Sequence, residues 1–220
     1  MKYVIAPSIL SADFTQLGKE IRLTEDNGAD FLHFDVMDGM FVSNISFGIP
    51  VMKSIRKATG QIMDAHLMVQ DPIRYVEAFK DAGADLITVH YEACPDVRKT
   101  LDKIRDLGVK VGLSICPDTP TEAVREYLEM VDMILIMTVY PGAGGQKFIP
   151  DSMDRIRDIR RMITETGRDI DLQVDGGITL DNMGEIIEAG ANIFVAGSAV
   201  FNGDIGENVR KCMEIFREYE

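Results

Sequence analysis

Two histidines with nearby carboxylates have the clearest chemical potential in this chain. His33 and Asp35 lie in one apolar run, and Asp64 and His66 lie in another. Alternate residues of a strand point to the same side, so each pair would share a face if the runs are strands. Imidazole and carboxylate suit a divalent first-row metal such as zinc, iron, manganese or cobalt, whereas magnesium and calcium prefer oxygen ligands. The pattern favours a metal site over two unrelated core histidines.

Two further polar groups allow more than one interpretation. Asp175 ends an apolar run and precedes Gly176 and Gly177, so it could supply a carboxylate or simply form an Asp-Gly turn. The spacing alone favours the turn. His90 follows Thr88 on the same face of another run and could contact a ligand or form a hydrogen bond inside the protein. We expect the hydrogen bond.

Short apolar runs alternate with amphipathic segments along the whole chain, which is typical of βαβ units and a parallel sheet. The helical segments end at glycines, which readily adopt the left-handed backbone that closes a helix. With 220 residues, the chain fits one (β/α)8 TIM barrel, an α/β fold, as a single domain over residues 1–220. The eight expected strands cover residues 3–6, 31–36, 63–68, 86–90, 110–114, 133–139, 171–174 and 193–196.

An open doubly wound sheet is the competing fold. Its dinucleotide-binding form carries a glycine fingerprint after the first strand, but here the first strand runs into Pro7 and Ser8. No phosphate-loop Gly-Lys-Ser or Gly-Lys-Thr sequence occurs. The barrel is therefore the better prediction.

The composition excludes several classes of partner. Asp and Glu number 36 against 23 Lys and Arg, which leaves a net charge of -13 and argues against nucleic-acid or anionic-membrane binding. Three cysteines suggest neither a disulfide framework nor a zinc ribbon, and a reducing compartment suits them. No signal or transmembrane segment is evident, so we expect a cytoplasmic protein.

Glycine-rich segments follow the last three expected strands, at residues 141–146, 176–177 and 197–198. In barrels, the loops after strands seven and eight commonly bind phosphate through backbone N–H groups. Such a site needs no Lys or Arg, so an acidic protein could bind an anionic substrate there. Met37, Met68 and Met137 have inward parity near strand ends, while most of the 13 methionines are better explained as core residues.

Taken in order, the motifs resemble those of the ribulose-phosphate 3-epimerase family over essentially the whole chain. The matching segments are residues 6–14, 33–39, 66–68, 141–146, 174–177 and 195–198. The resemblance implies one divalent metal ion held by His33, Asp35, His66 and Asp175, with Asp35 and Asp175 also acting as acid and base. It further implies a sugar-phosphate substrate, which would contact Ser8, Met37, His66, Met68, Met137, Gly142, Gly144, Gly145, Asp175, Gly177, Gly197 and Ser198.

The implied reaction inverts the third carbon of a ketose phosphate, D-ribulose 5-phosphate to D-xylulose 5-phosphate, in carbohydrate metabolism and the pentose phosphate pathway. Inversion next to a ketone requires proton removal from one face and proton return to the other, which two carboxylates could provide. A metal would stabilise the enediolate as a Lewis acid. We also expect a homo-oligomer.

Three positions depart from the family pattern. Ala143 replaces a usual Phe, Ser43 a usual Pro and Cys116 a common Asn, although an isolated buried thiol such as Cys116 is usually inert. The departures leave D-allulose-6-phosphate 3-epimerase as an alternative activity. A phosphosugar-binding barrel without epimerase activity, or a metal-independent barrel enzyme, remains a more remote alternative, because fold alone does not decide function.

Overall fold

The computed structural model describes residues 2–220, and these contain a barrel of eight parallel strands. The strands pair in the order β1-β8-β7-β6-β5-β4-β3-β2, so each strand from β2 to β7 lies beside the next one in sequence, and β8 lies beside β1. Their bounds are β1 Val4–Pro7, β2 Phe31–Met37, β3 Ile62–Met68, β4 Leu86–His90, β5 Lys110–Ile115, β6 Met133–Met137, β7 Asp171–Asp175 and β8 Ile193–Ala196.

The sheet closes between its first two strands. A parallel bridge joins Ser8, directly after β1, to His33 in β2. This closure confirms the predicted TIM barrel and excludes the open doubly wound sheet. The expected strands agree with the observed ones to within one residue at either end, except that β6 ends at Met137 where the pattern predicts residue 139.

Helical segments connect the strands and cover the barrel. Gly190 ends one of them with a φ of 115°, and the other predicted helix-ending glycines, Gly28, Gly83 and Gly108, also have positive φ values. The α-helices within residues 2–220 are α1 Leu17–Asp26, α2 Ile49–Ile55, α3 Val76–Asp81, α4 Val97–Asp106, α5 Ser152–Thr166, α6 Met183–Ala189, α7 Ser198–Phe201 and α8 Ile205–Tyr219.

The connection between β5 and β6 differs from the expected α-helix. It is a ten-residue 3-10 helix, Thr121–Met130. A 3-10 helix rises about 2.0 Å per residue, against about 1.5 Å in an α-helix, so ten residues span roughly 20 Å. This short connection can therefore cross the outside of the barrel with few residues.

The barrel interior changes from apolar to polar along the strands. At the amino-terminal end a buried apolar cluster fills it, formed by Val4, Ala6, Phe31, Leu86, Met133, Ile193 and Val195. Further along the strands the buried interior side chains include polar ones, among them Asp64, His66 and Gln173. Because this apolar layer closes one end, the polar groups can meet a ligand only from the carboxyl-terminal end of the strands.

Helix length and the state of the cysteines bear on the expectations drawn from the composition. None of the helices in the described part of the chain is long and apolar enough to span a membrane. Cys94, Cys116 and Cys212 are all free thiols.

Close contact between β4 and β5 generates a stability prediction. A Cβ atom at Gly112 would lie 2.2 Å from Thr88 Oγ1 and 3.1 Å from the Thr88 Cα atom. Overpacking of this kind costs about 1–3 kcal/mol, so Gly112→Ala should lower the free energy of unfolding in urea by that amount. Gly18→Ala in α1 is the matched control, because no atom lies within 4 Å of its added Cβ. It should stabilise the protein by about 0.5–1 kcal/mol, and equal effects of both changes would refute the packing account.

Candidate active site

Four donor atoms converge at the carboxyl end of the barrel. They are His33 Nε2, Asp35 Oδ1, His66 Nδ1 and Asp175 Oδ2, which all lie within 4.8 Å of one another. His33 Nε2 is 3.1 Å from Asp35 Oδ1 and 3.3 Å from His66 Nδ1. Asp175 Oδ2 is 3.8 Å from His33 Nε2 and 3.6 Å from His66 Nδ1. We call this group the four-donor cluster.

Strand register accounts for most of this convergence. β2 and β3 are parallel, and Asp35 pairs with His66 two residues beyond the pairing of His33 with Asp64. Asp175 comes from the last position of β7. Thr138 N–H donates to the Asp175 carbonyl oxygen at 2.9 Å, while Gly176 turns the chain away with a φ of 117°. The structure therefore makes Asp175 both the start of a turn and a member of the cluster.

Asp64 lies outside the four-donor cluster and orients one of its histidines. His33 Nδ1 is 2.7 Å from Asp64 Oδ2, which also accepts a hydrogen bond of 2.7 Å from Gln173 Nε2. All three side chains are fully buried. A carboxylate beside Nδ1 keeps the imidazole proton there, so the lone pair of Nε2 points toward the cluster and can bind a metal, as in many metal-binding histidines.

Ser8 performs the same orienting task for Asp35. Its hydroxyl donates to Asp35 Oδ2, so that the other oxygen, Oδ1, faces the two imidazoles. The bridge between Ser8 and His33 holds the two strand ends together. Ser8 also lies on the wall of the adjoining cavity, where it could reach a ligand as predicted.

A second hydrogen-bonded chain leads away from His66. His66 Nε2 is 2.8 Å from His90 Nε2, and His90 Nδ1 is 3.3 Å from Glu92 Oε2. His90 is thus hydrogen-bonded inside the barrel, as the sequence favoured. Burial lowers the pKa of His90 to about 4. The pKa of Glu92 falls to about 2, because hydrogen bonds from His90, Thr119 and the Cys116 N–H outweigh burial.

In the four-donor cluster the carboxylates and the imidazoles oppose the effect of burial on each other's pKa values. Burial would lower the pKa values of His33 and His66, but the facing carboxylates outweigh it and raise both. Burial would raise the pKa of Asp35, yet His33 and His66 lower it well below its usual range. Burial, followed by the charge of Asp35, raises the pKa of Asp175. A buried carboxylate, a partly exposed one and two imidazoles at these distances favour the binding of a positive charge among them.

A cavity of about 430 Å³ opens directly above the cluster. Its wall brings together every predicted substrate-contacting residue except His66, which is fully buried beneath it. The predicted residues on the wall are Ser8, Met37, Met68, Met137, Gly142, Gly144, Gly145, Asp175, Gly177, Gly197 and Ser198.

Two of these glycines lie where a side chain would not fit. A Cβ at Gly177 would be 2.2 Å from the Phe148 backbone nitrogen, and one at Gly197 would be 2.4 Å from Ser11 Oγ. The loop that carries Phe148 can therefore approach Gly177 closely. The backbone of both glycines forms part of the cavity wall, which suits an anion bound by N–H groups.

Sequence reasoning missed several residues on this wall. Ser11 lies against Gly197, and Lys147 adds a cation at the rim. Gln146 Nε2 donates to the carbonyl oxygens of Tyr140 and Ala143, which shapes the loop after β6. Asn182 Nδ2 donates to the Gly177 carbonyl oxygen at 2.9 Å. Motif spacing does not reveal such contacts, because they depend on how separate loops meet.

The positions that depart from the family pattern have different surroundings. Ala143 lies on the cavity wall, whereas Ser43 and Cys116 are outside it. Burial, followed by the nearby Glu92, raises the pKa of the Cys116 thiol. This direction agrees with the expectation of an unreactive thiol.

The donor set fits a divalent metal ion. Two nitrogen and two carboxylate donors, each from a different side chain, are the ligands that zinc and related first-row ions accept. Zinc ligands about 2.0–2.1 Å from the ion lie about 3.3 Å apart in a tetrahedral site, and the separations of 3.0 to 3.8 Å here are close to that. The cluster could therefore bind such an ion.

A family model and similar named proteins agree on one family. The model of the ribulose-phosphate 3 epimerase family matches residues 4–201. Ribulose-phosphate 3-epimerase of Synechocystis sp. is 50% identical over 201 residues, covering 90% of this chain and 87% of the relative. The Bacillus subtilis protein of that name is 46% identical and covers 94% of both chains. The Escherichia coli K12 protein is 49% identical and covers 91% of this chain and 90% of its own.

Solved structures show the same fold at low identity. 3-Keto-L-gulonate-6-phosphate decarboxylase from Vibrio cholerae superposes with a TM-score of 0.75 at 14% identity, over all of both chains. KGPDC from Streptococcus mutans has a TM-score of 0.75 at 12% identity and covers 99% of both. These likenesses support the barrel alone.

The family match and the relatives near 50% identity show that this chain belongs to the ribulose-phosphate 3-epimerase family and is an isomerase of the epimerase type.

Proposed function

We propose that this protein inverts the third carbon of D-ribulose 5-phosphate to give D-xylulose 5-phosphate, with one divalent metal ion bound in the four-donor cluster. The convergence of two imidazoles and two carboxylates beneath a cavity of about 430 Å³ is the observation that carries the proposal. All three relatives described above are named for this pentulose phosphate. That agreement favours the five-carbon substrate over D-allulose 6-phosphate.

The proposed metal ligands are His33 Nε2, Asp35 Oδ1, His66 Nδ1 and Asp175 Oδ2. A bound zinc, iron, manganese or cobalt ion would act as a Lewis acid and offset the negative charge that develops on the substrate oxygens. Asp64 holds the His33 ring, since its carboxylate lies 2.7 Å from Nδ1. Ser8 fixes Asp35 from the other side.

Asp35 and Asp175 are the proposed acid and base. Their strands β2 and β7 lie three positions apart around the barrel, since β1 and β8 stand between them. The two carboxylates can thus approach a substrate carbon from different directions, although their facing oxygens are within 4.8 Å. One removes the proton from one face, and the other returns a proton to the opposite face.

Methionine side chains cover the reacting region without offering protons. Met37, Met68 and Met137 all lie on the cavity wall and are themselves nearly inaccessible to solvent. Thioether sulfur is polarizable and only a weak hydrogen-bond acceptor. These residues can therefore pack against a planar, electron-rich carbon skeleton and exclude water from it.

The phosphate is proposed to bind to the backbone at Gly144, Gly145, Gly177, Gly197 and Ser198. Gly142 would let the loop after β6 close over the substrate; its φ is 118°, and Asn44 donates to its carbonyl oxygen at 3.2 Å. Backbone amides attract an anion locally, so the net charge of -13 does not oppose binding.

Removal of a proposed metal ligand should abolish metal binding and activity together. We expect His33→Ala to lose bound metal, measured by elemental analysis of the purified protein, and epimerase activity, while circular dichroism shows a folded barrel. His90→Ala is the matched control, because it removes another fully buried barrel imidazole that is not in the four-donor cluster. It should retain metal at saturating concentration, and a full metal complement in His33→Ala would disprove the ligand assignment.

A two-base mechanism predicts solvent exchange at the inverted carbon. In heavy water, wild-type protein should place deuterium on the third carbon of D-xylulose 5-phosphate, since the proton removed by one Asp is not the one returned by the other. Asp175→Asn should abolish inversion in both directions. Asp171→Asn, at the opposite end of the same strand, should leave the activity unchanged.

Nuclear magnetic resonance of the product measures both the inversion and the label. Product without solvent deuterium in a single turnover would replace the two-base mechanism with a shielded one-base transfer. D-Allulose 6-phosphate should be assayed beside D-ribulose 5-phosphate, and a higher kcat/KM for the hexulose would assign the alternative activity.

Crowding the proposed phosphate site should weaken binding of phosphorylated sugars selectively. Gly197→Val forces a side chain against Ser11, so we expect a higher KM for D-ribulose 5-phosphate and little change for unphosphorylated ribulose. Gly48→Ala is the control outside the cavity wall, because no atom lies within 4 Å of its added Cβ, and it should leave both sugars unaffected. An equal loss on both sugars would show that Gly197 is structural.

A further inference from the structure

A second group of metal-ligating side chains lies behind the four-donor cluster. His90 ends β4, Glu92 lies two residues further along, and Cys116 follows β5. His90 Nδ1 is 3.3 Å from Glu92 Oε2 and 3.6 Å from Cys116 Sγ. One donor atom from each residue falls within 4.8 Å of the other two.

These separations match the requirements of a tetrahedral ion. Zinc bonds of about 2.0 Å to nitrogen and oxygen and about 2.3 Å to sulfur place N and O about 3.3 Å apart and N and S about 3.5 Å apart. The His90 ring therefore needs almost no movement to share an ion with Glu92 and Cys116. Cys116 stands where the family commonly has Asn. Its thiol gives this donor set a soft sulfur ligand, which favours thiophilic ions.

The carboxylate is already positioned for this role. Glu92 Oε1 accepts hydrogen bonds from the Cys116 N–H, at 2.7 Å, and from the Thr119 hydroxyl, which leaves Oε2 facing His90. Arg155 donates to the carbonyl oxygens of Cys116 and Thr119 and so holds the loop that carries the thiol. The Glu92 side chain is 23% exposed and Cys116 is partly exposed, so an ion can enter from solvent.

We propose that His90 Nδ1, the Glu92 carboxylate and the Cys116 thiolate form a second site for a thiophilic divalent ion such as Zn²⁺ or Cd²⁺, and that its occupancy opposes metal binding through His66. The coupling, unlike the second site itself, rests on the proposed function of the four-donor cluster. Binding releases the Cys116 thiol proton to solvent and forms a metal–sulfur bond without any change of oxidation state.

The proposed coupling arises from the single hydrogen bond between the rings of His66 and His90. When His66 Nδ1 binds a metal, a neutral His66 carries its proton on Nε2, which donates to His90 Nε2 at 2.8 Å. His90 then carries its own proton on Nδ1, toward Glu92. A metal on His90 Nδ1 moves that proton to Nε2, where it faces the proton of His66. Two N–H groups cannot form this hydrogen bond, so each occupied site disfavours the other.

Cobalt absorption tests the second site independently of activity. Co²⁺ added to the purified full-length protein should produce a near-ultraviolet sulfur-to-cobalt charge-transfer band. The band should persist in His33→Ala, which lacks a ligand of the four-donor cluster, and in the control Cys94→Ser, another partly exposed cysteine. It should be absent in Cys116→Asn. No band in His33→Ala, in which the opposing four-donor cluster lacks a ligand, or an equal band in Cys116→Asn, would overturn the second site.

Cadmium inhibition tests the coupling. Epimerase activity of the metal-loaded wild-type protein should fall as Cd²⁺ occupies the second site, and Cys116→Asn should require at least about tenfold more Cd²⁺ for the same loss. Equal sensitivity of both proteins would overturn the coupling. If the four-donor cluster bound no metal, the cobalt band of His33→Ala would still appear, so failure of the proposed function and failure of the second site give different results.

Discussion

Paired burial of charge at the carboxyl end of the barrel is the constraint on which the rest of the site depends. Asp35 and Asp175 are brought within a few ångströms of each other inside a structure whose other end is filled with apolar side chains. Unpaired carboxylates would be costly there. His33 and His66 compensate them, and a divalent ion would do so more fully. Asp64 and Ser8 serve this requirement, because they hold His33 and Asp35 in place.

Orientation of each histidine comes from outside the four-donor cluster. Asp64 holds His33 through Nδ1, so that its Nε2 is presented, whereas His66 is contacted at Nε2 by His90 and presents Nδ1. The two rings therefore use opposite nitrogens. This arrangement links the cluster to Glu92 at the surface, because hydrogen bonds between neutral rings transmit the choice of tautomer. A change in what His90 or Glu92 binds can therefore alter the tautomer of His66 and so the donor atom that His66 presents to the cluster.

The negative charge of a phosphorylated substrate would be compensated by backbone N–H groups and not by paired side chains. The cavity wall is formed largely by loop backbone near Gly144, Gly177 and Gly197. Glycine allows both the close approach of loops and the exposure of N–H groups, so an anion can bind without a cluster of basic side chains. The strongly acidic composition and a phosphorylated substrate are therefore compatible. Lys147 at the rim supplies the single basic side chain of the cavity wall among the described residues.

Sequence alone determined the barrel, the inward parity of His33, Asp35 and His66, and the glycine-rich loops, because these follow from local periodicity and from residue spacing within one strand. Spacing favoured a turn over a donor role for Asp175, and it did not reveal how Asp64 or Cys116 would be placed. The contacts of Asp175 and Asp64 depend on barrel closure, which brings β7 toward β2 and β3. Cys116 approaches His90 because β5 pairs with β4. Only the tertiary structure decides such contacts, since they join residues far apart in the chain at distances that spacing along one strand does not specify.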